Sequence, residues 1–185
     1  MRFSMVVLCL SVLTICVQAE PSTADSDRPL IPMPSEEGLK SGIETLKSLY
    51  PSDYKGTDNK NPLQAQLAAA GLARKLLKTS EETSVDSDGY YPMLSEAIRL
   101  ATFSNKPDVA FEAIDRLQKT HQVKSSELRL QVLTHFADKG TRLNDVRAAI
   151  GFVVPAIQAS ADSQELGTAT KLLAVGETMA DRLYD

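Results

Sequence analysis

The chain contains no tryptophan, only five tyrosines and five phenylalanines, and two histidines, His121 and His135. Its two cysteines, Cys9 and Cys16, both fall within the first sixteen positions. Beyond them neither a disulfide nor a thiolate metal site can be assembled. The nine glycines never gather into a phosphate-cradling loop or a Gly-x-Ser-x-Gly elbow, which removes the commonest nucleotide-binding and serine-hydrolase signatures. No later stretch is long and apolar enough for a bilayer span, which takes about 20 residues. Nor is there a basic excess: 20 Lys and Arg stand against 24 Asp and Glu, a formal charge of −4. That balance disfavours nucleic acid or an anionic membrane as the main partner.

What is present begins with a short positive start, Met1-Arg2, and an uncharged, mostly apolar run from Phe3 to Val17 that ends in Val17-Gln18-Ala19. This is the layout of a cleavable signal peptide, residues 1–19, and the expected location is periplasmic or extracellular. A retained anchor is the alternative. Ile15 before Cys16 is not the small residue that lipidation requires. Loss of Arg2 takes the formal charge from −4 to −5. Residues 20–34 are polar and carry Pro21, Pro29, Pro32 and Pro34, so they read as an extended tether.

From 35 to 185 the apolar residues recur at helical spacing. Leu39, Ile43, Leu46 and Leu49 form one stripe, stopped by Pro51. A polar loop is expected over 54–61, followed by a helix opened by Asn61-Pro62 with Leu63, Leu67, Leu72, Leu76 and Leu77 on its apolar side. Tyr91, Leu94, Ile98 and Ala101 mark a third helix; Pro107 opens a fourth through Ala110, Phe111, Ile114 and Leu117. Ser125 is the expected cap of a fifth and Gly140 its terminator. Asn144 caps a sixth that Pro155 should kink, and Asp162 with Glu165 forms a capping box for a seventh. No segment alternates with period two. The expected fold is all-α: about seven helices stacked as antiparallel pairs in a right-handed, tetratricopeptide-like array.

A faint repeat agrees with helix pairs. Ser125-Ser-Glu-Leu128 returns as Ser163-Gln-Glu-Leu166, 38 residues on, and Asp108-Val109 returns as Asp145-Val146, 37 residues on. That is the length of a two-helix unit, although the tryptophan- and glycine-bearing tetratricopeptide consensus is missing. The order of segments, Arg28-Pro-Leu-Ile-Pro-Met-Pro34, Leu67-Ala-Ala-Ala-Gly-Leu-Ala-Arg-Lys-Leu-Leu77, Tyr91-Pro-Met-Leu-Ser-Glu-Ala-Ile-Arg-Leu-Ala101 and Asp108-Val-Ala-Phe-Glu-Ala-Ile-Asp-Arg-Leu117, resembles the helical N-terminal region of secreted planctomycete-type bacterial proteins. In such proteins that region often precedes carbohydrate-binding or lectin-like modules. The resemblance implies no activity and no functional residues.

Candidate sites are few. His121 lies at a helix exit, where a positive charge suits the dipole, and His135 lies on an apolar face; 14 residues apart, they form no metal motif. Asp86-Ser-Asp-Gly89 fails as a calcium loop, because Ser95 stands where a bidentate glutamate is needed, and it reads better as a turn in which Asp88 caps the next helix. Glu36-Glu37 and Glu81-Glu82 read as solvated helix ends, not paired catalytic carboxylates. Tyr90-Tyr91 reads either as packing at a helix start or as an exposed platform.

No catalytic, metal-binding or cofactor-binding residue is expected, and no cofactor. The expected role is a module binding a protein or peptide in the cell envelope, with Arg99, Arg129 and Tyr90 as positional candidates for recognition. The alternatives are a structural spacer or accessory region without a ligand and, third, a hydrolase with unfamiliar residues.

Overall fold

The computed structural model describes residues 29–184. Cys9, Cys16 and the expected signal segment lie outside the described residues. Within them run α1 (Glu36–Leu49), α2 (Pro51–Thr57), α3 (Pro62–Glu82), α4 (Tyr90–Phe103), α5 (Pro107–Thr120), α6 (Ser125–Ala137), α7 (Leu143–Ala149), a 3-10 turn (Ile150–Phe152), α8 (Val153–Asp162) and α9 (Leu166–Tyr184). The fold is all-α; among the described residues the extended backbone pairs only at one isolated bridge, Ile31 with His121.

Helix starts follow the local chemistry. Ser35 accepts from the Gly38 N–H at 3.1 Å, and Asn61 accepts from the Leu63 N–H at 3.0 Å, each satisfying a first-turn donor that has no partner within the helix. Pro51, Pro62 and Pro107 each occupy a first helical turn, where a missing N–H costs nothing. Pro51 therefore ends α1 and begins α2, and the loop expected over 54–61 is helix as far as Thr57, leaving only 58–61 as the connection to α3. The remaining expected caps are displaced. Lys124, not Ser125, precedes α6; Arg142, not Asn144, precedes α7; Gly89 rather than Asp88 precedes α4. Asp162 is the last residue of α8 and opens nothing. Gly140 follows α6 without the left-handed backbone expected of it, since no described glycine has positive φ.

Left-handed residues occur elsewhere. Asn105 (φ 57°) and Gln164 (φ 60°) are the non-glycine examples. Behind α4, Lys106 N–H reaches Ala101 C=O at 2.8 Å and Asn105 N–H reaches Thr102 C=O at 3.1 Å. Behind α8, Glu165 N–H reaches Ser160 C=O at 2.8 Å and Gln164 N–H reaches Ala161 C=O at 2.9 Å. These are paired Schellman closures. Pro155 falls in the first turn of α8, and the expected kink is taken up before it by the 3-10 turn.

One continuous core joins the helices. Helix α4 lies at its centre, packed on α1, α3 and α5; α6 joins this group to α9, and α8 lies along α9. Leu94, Ile114, Leu133, Phe136 and Leu172 have no exposed surface. Two glycines permit close helix approach: a Cβ at Gly42 would stand 2.4 Å from Pro92 Cγ, and one at Gly176 would stand 2.6 Å from Val153 Cγ1.

Two arginines tie helices together. Arg182 of α9 donates to the carbonyls of Phe136 (3.0 Å), Asp138 and Thr141, acceptors in the last turn of α6 and the loop behind it. Arg116 of α5 donates to Leu77 C=O at 2.8 Å and pairs with Glu81 at 2.8 Å and Glu112 at 2.6 Å, so Glu81 is spent on joining α5 to α3.

The segment before α1 is extended and held against the helices. Ile31 N–H donates to Thr120 C=O at 2.9 Å, and Gln122 N–H donates to Ile31 C=O at 2.8 Å. The Gln122 side-chain amide reaches Leu30 C=O at 3.1 Å, and the Tyr91 hydroxyl stands 3.5 Å from Met33 Sδ.

Candidate functional site

Helices α4 and α6 are separated in sequence by α5, and a groove of about 490 Å³ opens between them with Leu117 of α5 in its floor. The α4 wall carries Tyr91, Ser95, Ile98, Arg99, Thr102 and Phe103. Steps of three and four along α4 put most of these on one face. The α6 wall carries Leu128, Gln131, Val132 and His135 at the same kind of spacing. Most of this surface is apolar, with a few polar groups spread along it, which is the usual character of a ligand cleft. Phe103 is 43% exposed, leaving a large apolar ring at the open end.

Arg99 is fixed at the lip. Its Nε and Nη2 donate to the two carboxylate oxygens of Glu96 at 2.8 Å each. Glu96 is 2% exposed while the Arg99 side chain is 60% exposed, so the buried carboxylate serves as the anchor and the guanidinium as the presented group. Hydrogen bonding to Glu96 holds the Arg99 pKa above its ordinary value, against the opposing effect of burial. Tyr54 of α2 lies behind the pair. Its hydroxyl is buried, within the field of Glu96 but outside hydrogen-bonding geometry, and has no hydrogen-bond partner among the described residues. Burial first, and the Glu96 charge second, push its phenol well above the usual range.

His135 is tied down from the other side. Its Nε2 lies 3.0 Å from Asn105 Oδ1, and Asn105 Nδ2 donates to Asp145 Oδ2 at 3.1 Å. With the amide oriented by Asp145, Asn105 Oδ1 is the acceptor, so His135 Nε2–H is the donor of this pair. The left-handed Asn105 thus both closes α4 and orients a groove residue. The 88° edge contact of His135 with Phe136 fixes the ring plane.

The expected recognition residues are not brought together. Arg99 is on the groove. Arg129 donates to Asp115 at 2.7 Å and to Gln118 at 3.1 Å, and it lines a separate, more polar hollow of about 470 Å³ beside Leu30, Lys124 and Glu165. Tyr90 is 5% exposed and stacks on the His121 ring at 5.9 Å. Of the expected alternatives, packing at a helix start is therefore the one observed, and its neighbour Tyr91 reaches the groove. One residue turns a helix by about 100°, so the neighbour faces a different way.

His121 is buried between the two tyrosines, with Tyr91 at 5.2 Å. Burial lowers its pKa, with Asp86 opposing weakly. The helix-end position expected to favour a charged ring is outweighed by desolvation.

Comparison with known protein families, curated proteins and solved structures yields no match. Among the described residues, no three His, Cys, Asp or Glu side chains are grouped as a metal ion would require. No described helix is long and apolar enough to cross a membrane.

Proposed function

We propose that this protein is an exported, non-enzymatic helical module that binds a peptide segment of an envelope protein in the groove between α4 and α6. The observation that carries the reading is the combination of an open apolar floor with two polar side chains, Arg99 and His135, each fixed in place before any ligand arrives. Fixing such groups in advance removes part of the ordering cost of association.

The arrangement of helices supports a paired-helix, tetratricopeptide-like description. Helix α5 packs on α6, α8 packs on α9, and α6 meets α9 across the two pairs. Asp108 and Asp145 stand in the first turns of α5 and α7, followed by the buried Val109 and Val146. The second sequence match is looser: Ser125 is the first residue of α6, whereas Ser163 closes α8, so those tetrapeptides hold different helical positions. Export rests on the residue pattern of positions 1–19.

The test is a peptide-array screen of the purified protein, with positives mapped by amide chemical-shift changes. Shifts concentrated at Ser95, Phe103, Gln131 and His135, and lost in Leu128→Glu, support the reading. Hits that map to the Arg129 hollow overturn the groove as the binding site, and a screen in which nothing binds while the protein stays folded leaves the spacer role instead.

A further inference from the structure

Resting on the groove reading above, we infer that the groove selects peptides carrying a carboxylate close to a large apolar side chain. The groove lining contains the arginine Arg99 but no aspartate or glutamate, in a chain where acids outnumber bases by 24 to 20. The one nearby carboxylate that binds Arg99, Glu96, is buried, and both of its oxygens are taken up by Arg99 Nε and Nη2. Among the described residues no hydrogen bond engages the third nitrogen, Nη1. Asp58 acts on Arg99 through its charge and forms no ion pair with it.

A ligand carboxylate at this lip meets a guanidinium whose rotamer is already set, and charge-assisted bonds of this kind are the stronger class. An apolar side chain two residues away can then enter between Ile98 and Val132 of the two walls, above Leu117 in the floor. Ser95 on one wall and Gln131 on the other supply a hydroxyl and an amide, while the Thr102 hydroxyl donates to Ile98 C=O and keeps only its acceptor side. These match the repeated N–H and C=O of a peptide, whereas a fatty acyl chain offers them nothing. A peptide is therefore favoured over a lipid anion of the same charge.

The test uses three fluorescein-labelled, end-capped hexapeptides, Gly-Gly-Leu-Gly-X-Gly, with X as Glu, Gln or Lys, read by fluorescence anisotropy on the full chain. The expected result is a Glu probe bound about tenfold more tightly than the Gln probe, with the Lys probe weaker still. The gap should narrow at high salt. In the double variant E96Q/R99Q, which removes the buried pair without stranding one charge, Gln-probe binding should persist and the Glu preference vanish. R99K serves as a second check, retaining charge but losing the fork, with an intermediate preference expected.

Equal affinity for the Glu and Gln probes, both still abolished by Leu128→Glu, overturns the charge preference and leaves the groove reading standing. Binding that is indifferent to Leu128→Glu overturns both. Dodecanoate displacing every peptide at tenfold lower concentration than the Glu peptide overturns the peptide class.

Discussion

Helix α4 and helix α9 have opposite relations to the core. Nine of the fourteen residues of α4 are buried, including the carboxylate of Glu96. Of the nineteen residues of α9, only Leu172 and Met179 are. Helix α4 is held by helices on several sides, and burial alone accounts for its placement. Helix α9 is held at three kinds of point: two fully buried apolar anchors helped by the partly buried Val175 and Leu183, the close approach of Gly176 to Val153, and the Arg182 clamp on the end of α6. The groove takes one wall from the deeply held helix and the other from α6, which α9 supports from behind. Rigidity of the binding surface thus depends on the more weakly held end of the molecule.

The sharpest test of that contrast compares Leu94→Ala with Leu172→Ala. Both side chains are fully buried, so removal leaves a cavity in each case. Cavity costs for such changes run from about 2 to 5 kcal/mol, depending on how far the surroundings collapse. Leu94, enclosed on several sides, is expected near the upper end with loss of protection throughout. Leu172 is expected near about 2 kcal/mol, with accelerated amide exchange confined to α8 and α9. Denaturant melts with hydrogen exchange check both, and equal global loss in the two variants would break the comparison.

A smaller effect is expected from filling the two close approaches. Gly42→Ala drives a methyl into the ring of Pro92, which cannot change rotamer, while Gly176→Ala meets one methyl of Val153. Overpacking typically costs about 1 to 3 kcal/mol. The expected order is Gly42→Ala near 2 kcal/mol and Gly176→Ala near 1 kcal/mol, on these scales, measured as a shift in denaturation midpoint.

The helical periodicity made the fold class legible, and the limits of that signal are visible within α3. Its leucines were expected to form one apolar side, yet Leu63 and Leu67 are 56% and 64% exposed. The buried face is formed by Ala65, Ala69 and Ala73 with Leu72 and Leu76, because small side chains let neighbouring helices approach. Helix ends were legible where Ser, Asn or Pro opened them. They were missed where Asn105 and Gln164 took the left-handed position usually given to glycine. The groove itself was invisible, since its walls are thirty-odd residues apart in sequence and only packing across α5 sets them side by side. The Glu96–Arg99 pair had a local signal, opposite charges three residues apart. Nothing in the local pattern announced the Arg182 clamp, whose acceptors are main-chain carbonyls more than forty residues away.

That clamp gives the next prediction. Arg182→Met keeps the aliphatic stem and removes donors to three or more carbonyls. A hydrogen bond to a charged group contributes about 1.5 to 3 kcal/mol, but the carbonyls can turn to water here. A net loss of about 1 kcal/mol is expected, with exchange rising in α9 and the last turn of α6 before any other segment. Loss spread evenly over α3 to α5 would mean that α9 is not the separable region the burial pattern makes it.

The smallest effect concerns acid, and it acts on the deeply held side. The buried His121 has its pKa lowered from an ordinary value of 6.5, chiefly by desolvation. A folded pKa below the unfolded one means that the unfolded chain binds the proton more readily. Stability is therefore at its full value above pH 6.5 and declines as the pH falls through 6.5 toward the lower folded value. Protonation would place a charge between Tyr90 and Tyr91, beside the main-chain pairing of Ile31 with residues 120 and 122. The thermal midpoint should drop modestly between pH 7 and pH 5, and His121→Phe should flatten that part of the curve. The amides of Ile31 and Gln122 should be the first to exchange in acid. If α9 frays first instead, the acid response belongs to carboxylates elsewhere and His121 is only a packed ring.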